Sequence, residues 1–144
     1  MSNKRSLKIG IVCPYGWDAP GGVQAHIRDL AEYLMAHGHS VSVLAPAVDE
    51  EALPEYVVSA GKPIAIPYNG AVARILFGPI AFGRVRQWIS TGDFDVLHLH
   101  EPAIPSLSLL ACWGGRGTNG GNFSRSIQTS TRDSCSRSNT RTCH

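Results

Sequence analysis

The chain has 144 residues, 43% of them apolar and 17% charged, which excludes a disordered polyelectrolyte and predicts one small domain or part of a larger one. No apolar stretch approaches the roughly 20 residues of a membrane-spanning helix, and the apolar run after Ser6 stops at Pro14, too short for a secretion signal, so a cytoplasmic chain is expected. The net charge of +2 hides an imbalance: residues 1–112 hold eight Lys/Arg against ten Asp/Glu, and residues 113–144 hold five Arg and one Asp, so the basic excess gives the body no nucleic-acid surface.

Leu7 to Cys13 is a β-branched run ending at Pro14, the pattern of a buried first strand. Turn formers fill Pro14 to Gly22, and from Val23 the period changes. Val23, Ile27, Leu30, Ala31 and Leu34 fall at helical spacing, with Gly38 placed to stop the helix in a left-handed conformation. Val41 to Ala45 reads as a second strand. Strand, loop, helix and strand make a βαβ unit, which calls for a parallel sheet covered by helices. Asp49-Glu50-Glu51 reads as a solvated loop, and Lys62 to Ile66 as a short strand ended by Pro67-Tyr68-Asn69-Gly70. Ile80 to Ser90 reads as a helix with Val85, Trp88 and Ile89 inward and Arg84 and Arg86 outward. Asp95 to His100 is a further strand, and Leu107 to Ala111 opens the next helix. Residues 1–112 thus carry the alternation of a Rossmann-like, doubly wound α/β domain.

At Trp113 the composition changes. The last 32 residues contain eleven Ser/Thr, five Gly and five Arg but no Leu, Val, Ala or Met, too little apolar area to offset ordering entropy, so 113–144 is expected to be a disordered tail. The four cysteines, Cys13, Cys112, Cys135 and Cys143, fit no zinc spacing and read as reduced and incidental.

Gly21-Gly22 at a helix start lets backbone N–H groups approach an anion, although a tight turn explains the pair equally well. The full G-x-G-x-x-G spacing is missing and no acidic residue ends the second strand, which disfavours a dinucleotide dehydrogenase. His98, His100 and Glu101 invite a metal reading, with both imidazoles on one strand face, but no third ligand stands at usable spacing and Glu101 precedes a proline that redirects the chain, so no metal site is expected. A cluster at the carboxyl edge of the sheet, where open α/β folds bind ligands, is the alternative. Arg84 and Arg86 read either as solvated cations or as contacts to anionic lipid.

Lys8–Tyr15 (KIGIVCPY) and Pro20–His26 (PGGVQAH) resemble the opening of retaining glycosyltransferases with two Rossmann-like domains, the GT-B fold. Pro67–Arg74 (PYNGAVAR) and Gly92–Pro102 (GDFDVLHLHEP) narrow the resemblance to the phosphatidylinositol mannosyltransferases of glycosyltransferase family 4, from about Leu7 to Ala111. The resemblance implies an incomplete N-terminal, acceptor-side domain. The enzyme would move mannose from GDP-mannose to the inositol ring of phosphatidylinositol, without a cofactor, at the inner face of the cell membrane. It also implies that Gly22 lies near the donor diphosphate and that Tyr15, Gln24 and Asn69 hold the inositol phosphate head group. Arg74 would be a phosphate partner, and Arg84 and Arg86 would face the membrane. Tyr and Gln can bond sugar hydroxyls, and the fixed donor fork of Arg suits phosphate. A family 4 transferase with another donor or acceptor, or a non-catalytic or inert fragment, are the alternatives.

The chain departs from the family in two places. Gly83 to Trp88 is less densely basic than the family's amphipathic helix, and the family's continuation Ala-Ala-Glu-Gly-Pro, a strand and Val-Ala-Thr-Phe-His is absent, with its active-site histidine. Back-translating Gly114 to Arg125 and reading one base later permits Ala-Ala-Glu-Gly-Pro-Met-Val-Ala-Thr-Phe-His in order. Residues 114–144 are therefore expected to be an out-of-frame reading of a longer gene.

Overall fold

The computed structural model describes residues 4–68, 70–101, 106–116 and 126–130. Its elements are β1 (Lys8–Val12), α1 (Gly22–Ala36), β2 (Ser40–Ala45), β3 (Val57–Ser59), β4 (Ile64–Tyr68), β5 (Ala71–Ile75), α2 (Pro79–Gly92), β6 (Val96–His100), α3 (Leu107–Arg116) and β7 (Ser126–Ser130). A parallel sheet runs β3-β2-β1-β6-β7, and β4 and β5 form a separate antiparallel hairpin.

The β-branched first run becomes the centre of the sheet because apolar side chains leave both of its faces. Ile9, Ile11 and Cys13 pack with Val41 and Val43 beneath Ile27 and Ala31 of α1. On the opposite face Val12, Leu44, Leu97 and Leu99 pack under Val85, Trp88 and Ile89 of α2 and Leu107 and Leu110 of α3. Helices on both faces satisfy the doubly wound expectation. Gly10 sits under α2, where a Cβ would lie 2.8 Å from Trp88 and 2.9 Å from both Leu97 and Phe94. The Trp88 indole N–H donates to Ser42 Oγ at 3.0 Å, which fixes the ring over that glycine. Helix α1 ends as expected, with Gly38 at φ 87°.

Four strands differ from the sequence expectation. β3 has three residues, too short to carry a periodic signal. The run from Lys62 does not join the main sheet; it turns back at Gly70 (φ 78°) to pair with β5. The expected boundary at Trp113 is not an element boundary either, since α3 continues to Arg116. Residues 126–130 form β7 along β6, with Val96 opposite Ser126 and His100 opposite Ser130. The open edge of β6 presents unpaired backbone groups, and Ile127 and Thr129 are β-branched, so this part of the tail is a strand rather than disordered. The other residues beyond 116 lie outside the described ones.

Among the described residues, no helix is long and apolar enough to cross a membrane. Cys13 is a buried free thiol, pushed up to about 12 by that burial; a thiol held protonated in this way is unreactive.

Candidate functional site

Where β1 ends, the chain leaves the sheet through Pro14 to Gly21 and enters α1. This loop is fixed from three sides. The Trp17 amide donates to the Pro46 carbonyl at 2.7 Å after β2. The Arg28 guanidinium donates to the Trp17 carbonyl at 3.0 Å and lies 4.7 Å from the centre of the indole ring. The Gly16 amide donates to the Arg74 carbonyl at 2.7 Å, beside an antiparallel bridge between Tyr15 and Ile75. These last two contacts suspend the β4–β5 hairpin from the loop and bring Arg74 over the start of α1.

Between loop, helix and hairpin lies an open cavity of about 290 Å³, lined among others by Tyr15, Gly22, Gln24, Val72, Arg74 and Glu101. Gly21 caps α1 in an extended conformation without a side-chain cap, and the first turn carries no acidic residue. The first backbone bond of the helix runs from the Ala25 amide to the Gly21 carbonyl at 3.1 Å. The amides of Gly22, Val23 and Gln24 therefore have no intrahelical partner, and the positive end of a 15-residue helix faces the cavity. Arg74 is exposed and, among the described residues, its guanidinium has no partner. An anion in the cavity can meet the backbone donors of α1 and the Arg74 guanidinium.

The lining also carries an acidic group. The Tyr15 hydroxyl donates to Glu101 Oε2. Glu101 follows β6 with φ 49°, a left-handed conformation shared among the described non-glycine residues only with Asp93. The cavity lining thus combines N–H groups, a guanidinium and a carboxylate.

Of the residues singled out in the sequence, Tyr15, Gly22, Gln24 and Arg74 line this one cavity, and Asn69 lies outside the described residues. Gln24 also takes a structural part. Its side chain is buried, and its amide N–H donates to the Gly16 carbonyl at 3.1 Å. It braces the glycine loop instead of offering that donor to a ligand. Glu101, weighed in the sequence only within the strand-end cluster with His98 and His100, lines the cavity as well. Its signal was its position at the carboxyl end of a parallel strand, just before Pro102.

The other candidates lie elsewhere. Arg84 and Arg86 are on the exposed side of α2. Arg84 donates to the Ala60 carbonyl at 3.1 Å, and Arg86 lies 5.9 Å from the centre of the Phe82 ring. His98 and His100 share one face of β6, with rings 4.6 Å apart, and His26 of α1 stands 5.7 Å from His100. The Nε2 atoms of His98 and His100 are buried without a partner among the described residues. Burial, with the His98 and His26 imidazoles beside it, holds His100 down at about 4; burial and His26 lower His98 as well. Among the described residues, no group of three His, Cys, Asp or Glu could hold a metal ion.

A doubly wound sheet with a glycine-opened helix beneath a cationic hairpin suits a transferase of anionic sugar donors or acceptors, and the sequence profile of Glycosyltransferase Family 4 matches residues 20–119. The chain belongs to that family. Among individual proteins, it is 59% identical over 111 residues to a phosphatidyl-myo-inositol mannosyltransferase of Mycolicibacterium smegmatis, covering 77% of this chain and 29% of that protein. It is 60% identical over 105 residues to the protein of that name from Mycobacterium leprae, covering 73% and 28%. With the one from Propionibacterium freudenreichii it shares 42% over 114 residues, covering 74% and 30%. The chain thus spans less than a third of the length of these relatives.

Proposed function

We propose that the chain is the acceptor-side portion of a phosphatidylinositol mannosyltransferase of the two-domain GT-B type. In the whole enzyme, mannose passes from GDP-mannose to the inositol ring of phosphatidylinositol. The bond from the anomeric carbon to the GDP phosphate breaks, a bond to an inositol oxygen forms, and the hydroxyl proton is released. The observation that carries this reading is the meeting of Tyr15, Gly22 and Arg74 in one cavity, at positions that a head-group and diphosphate site requires.

In this reading Arg74 holds the lipid phosphate, the Tyr15 hydroxyl orients the inositol ring, and the α1 amides at Gly22 stabilise charge growing on the departing GDP. Gln24 keeps the loop in place, and Asn69 is a further head-group contact. No metal or cofactor takes part. Arg84 and Arg86 add attraction to anionic lipid at the inner face of the cell membrane, where the enzyme sits peripherally.

Titration calorimetry of the 144-residue chain with myo-inositol 1-phosphate tests the acceptor site. Binding that Arg74→Ala weakens supports it, and no heat of binding refutes it. The chain by itself carries no transferase activity in this reading, so turnover of GDP-mannose with phosphatidylinositol by the purified chain contradicts it. Residues 114–144 are read one base out of frame, in keeping with a composition unlike that of the body. A nucleotide sequence without the family continuation one base on would overturn that part.

A further inference from the structure

We infer that Glu101 is a specificity residue which restricts the cavity to head groups with neutral ring hydroxyls and rejects rings carrying a further phosphate. The inference rests on the acceptor reading above and concerns the carboxylate in the cavity lining. Three observations lead to it. Glu101 lines the same cavity as Gly22 and Arg74. Its Oε2 accepts the Tyr15 hydroxyl, so that oxygen is pinned to one wall of the cavity. Its backbone holds φ 49°, a left-handed conformation that costs a non-glycine residue free energy and persists where the surrounding structure imposes it, commonly at ligand sites.

An ionised carboxylate only accepts hydrogen bonds. A ring hydroxyl can donate to it, whereas a phosphate on the same ring position brings charge of the same sign. Taken as a sphere, the cavity is about 8 Å across. A ligand phosphate held by Arg74 therefore puts a second ring phosphate within about 6–8 Å of the carboxylate. At such distances, between the dielectric limits of a protein surface and water, like charges are disfavoured by about 3- to 100-fold, centred near tenfold, or about 1.4 kcal/mol. Arg74 and the helix end attract every anion; Glu101 makes the site selective among them.

The test is calorimetry of the 144-residue chain with two probes, myo-inositol 1-phosphate and myo-inositol 1,4-bisphosphate, on the wild type and Glu101→Gln. Gln keeps a side-chain acceptor for Tyr15 and removes the charge, so a merely structural role leaves the ratio of the two affinities unmoved. The expected result is a bisphosphate-to-monophosphate affinity ratio about tenfold higher in E101Q than in the wild type. Monophosphate binding with the same ratio in both proteins overturns the inference and leaves the acceptor reading standing. No monophosphate binding by the wild type overturns both. If E101Q does not fold, a salt series on the wild type decides. Discrimination that weakens from about 0.02 to about 0.5 M salt, as screening requires, supports a charge effect, and discrimination independent of salt refutes it.

Discussion

Gly21→Ala probes how the glycine loop holds the cavity open. Gly21 lies in extended backbone, φ −174°, so alanine meets no conformational obstacle. The obstacle is packing: a Cβ there would collide with Gln24 Oε1 and lie 3.0 Å from its Cδ and 3.2 Å from its Nε2. The Gln24 side chain cannot swing away freely, because it is buried and its Nε2 donates to the Gly16 carbonyl. Displacing it leaves that carbonyl without its donor, at a cost of about 1–3 kcal/mol. Replacing glycine by alanine at an N-cap adds some tenths to about 1 kcal/mol. The sum is about 2–3 kcal/mol. With a urea dependence of roughly 2 kcal/mol per molar, the unfolding midpoint, followed by far-UV circular dichroism, falls by about 1 M or more. A double-mutant cycle with Gln24→Ala isolates the collision. In the Q24A background G21A should cost only its capping share, about 0.5 kcal/mol, giving a coupling of about 1.5–2.5 kcal/mol. Full stability of the single variant, or strict additivity of the two, would refute the reasoning.

Gly10→Ala places a methyl against Trp88, Leu97 and Phe94 at 2.8–2.9 Å and should lower stability by about 1–3 kcal/mol through overpacking, read from the same urea midpoint; an unchanged midpoint refutes it. His100, held at about 4 against an ordinary 6.5, takes a proton in the unfolded chain before it does in the folded one. The unfolded state binds more protons between those values, so stability falls as pH drops from about 6.5 to 4, on the order of 3 kcal/mol. His100→Phe should flatten that slope, and an unaltered slope counts against the assignment. Arg74→Ala, at an exposed position without a partner among the described residues, should leave stability within about 0.5 kcal/mol and weaken inositol phosphate binding by tenfold or more.

The sheet and its helices were legible because their signals are local. The β-branched run at Ile9 to Val12, the helical spacing of Ile27 and Ala31, and Gly38 as a terminator each follow from neighbours in the chain. β3 was not legible, since three residues show no period and Val57 becomes a strand only by meeting Val43. β5 was missed because Val72 and Arg74 face outward and the hairpin buries little. Its sequence signal was Asn69-Gly70, a pair favoured in two-residue hairpin turns. In the site, Tyr15, Gly22 and Arg74 could be named from motifs. Glu101 reaches Tyr15 across 86 positions of sequence, and no local pattern encodes such a meeting. The working role of Gln24 was hidden likewise, because a side chain that braces a loop and one that binds a ligand have the same letter.

The β4–β5 ribbon hangs from the glycine loop by backbone contacts at Gly16 and Tyr15 and takes no place in the parallel sheet. A two-stranded ribbon is marginal alone, so this one borrows its order from the loop it overhangs. The cation at the cavity mouth is therefore carried on a detachable module. Lengthening, shortening or recharging the twelve residues from Ile64 to Ile75 would reshape the mouth of the cavity, while the apolar layers beneath, and the glycine-opened helix that they support, stay as they are.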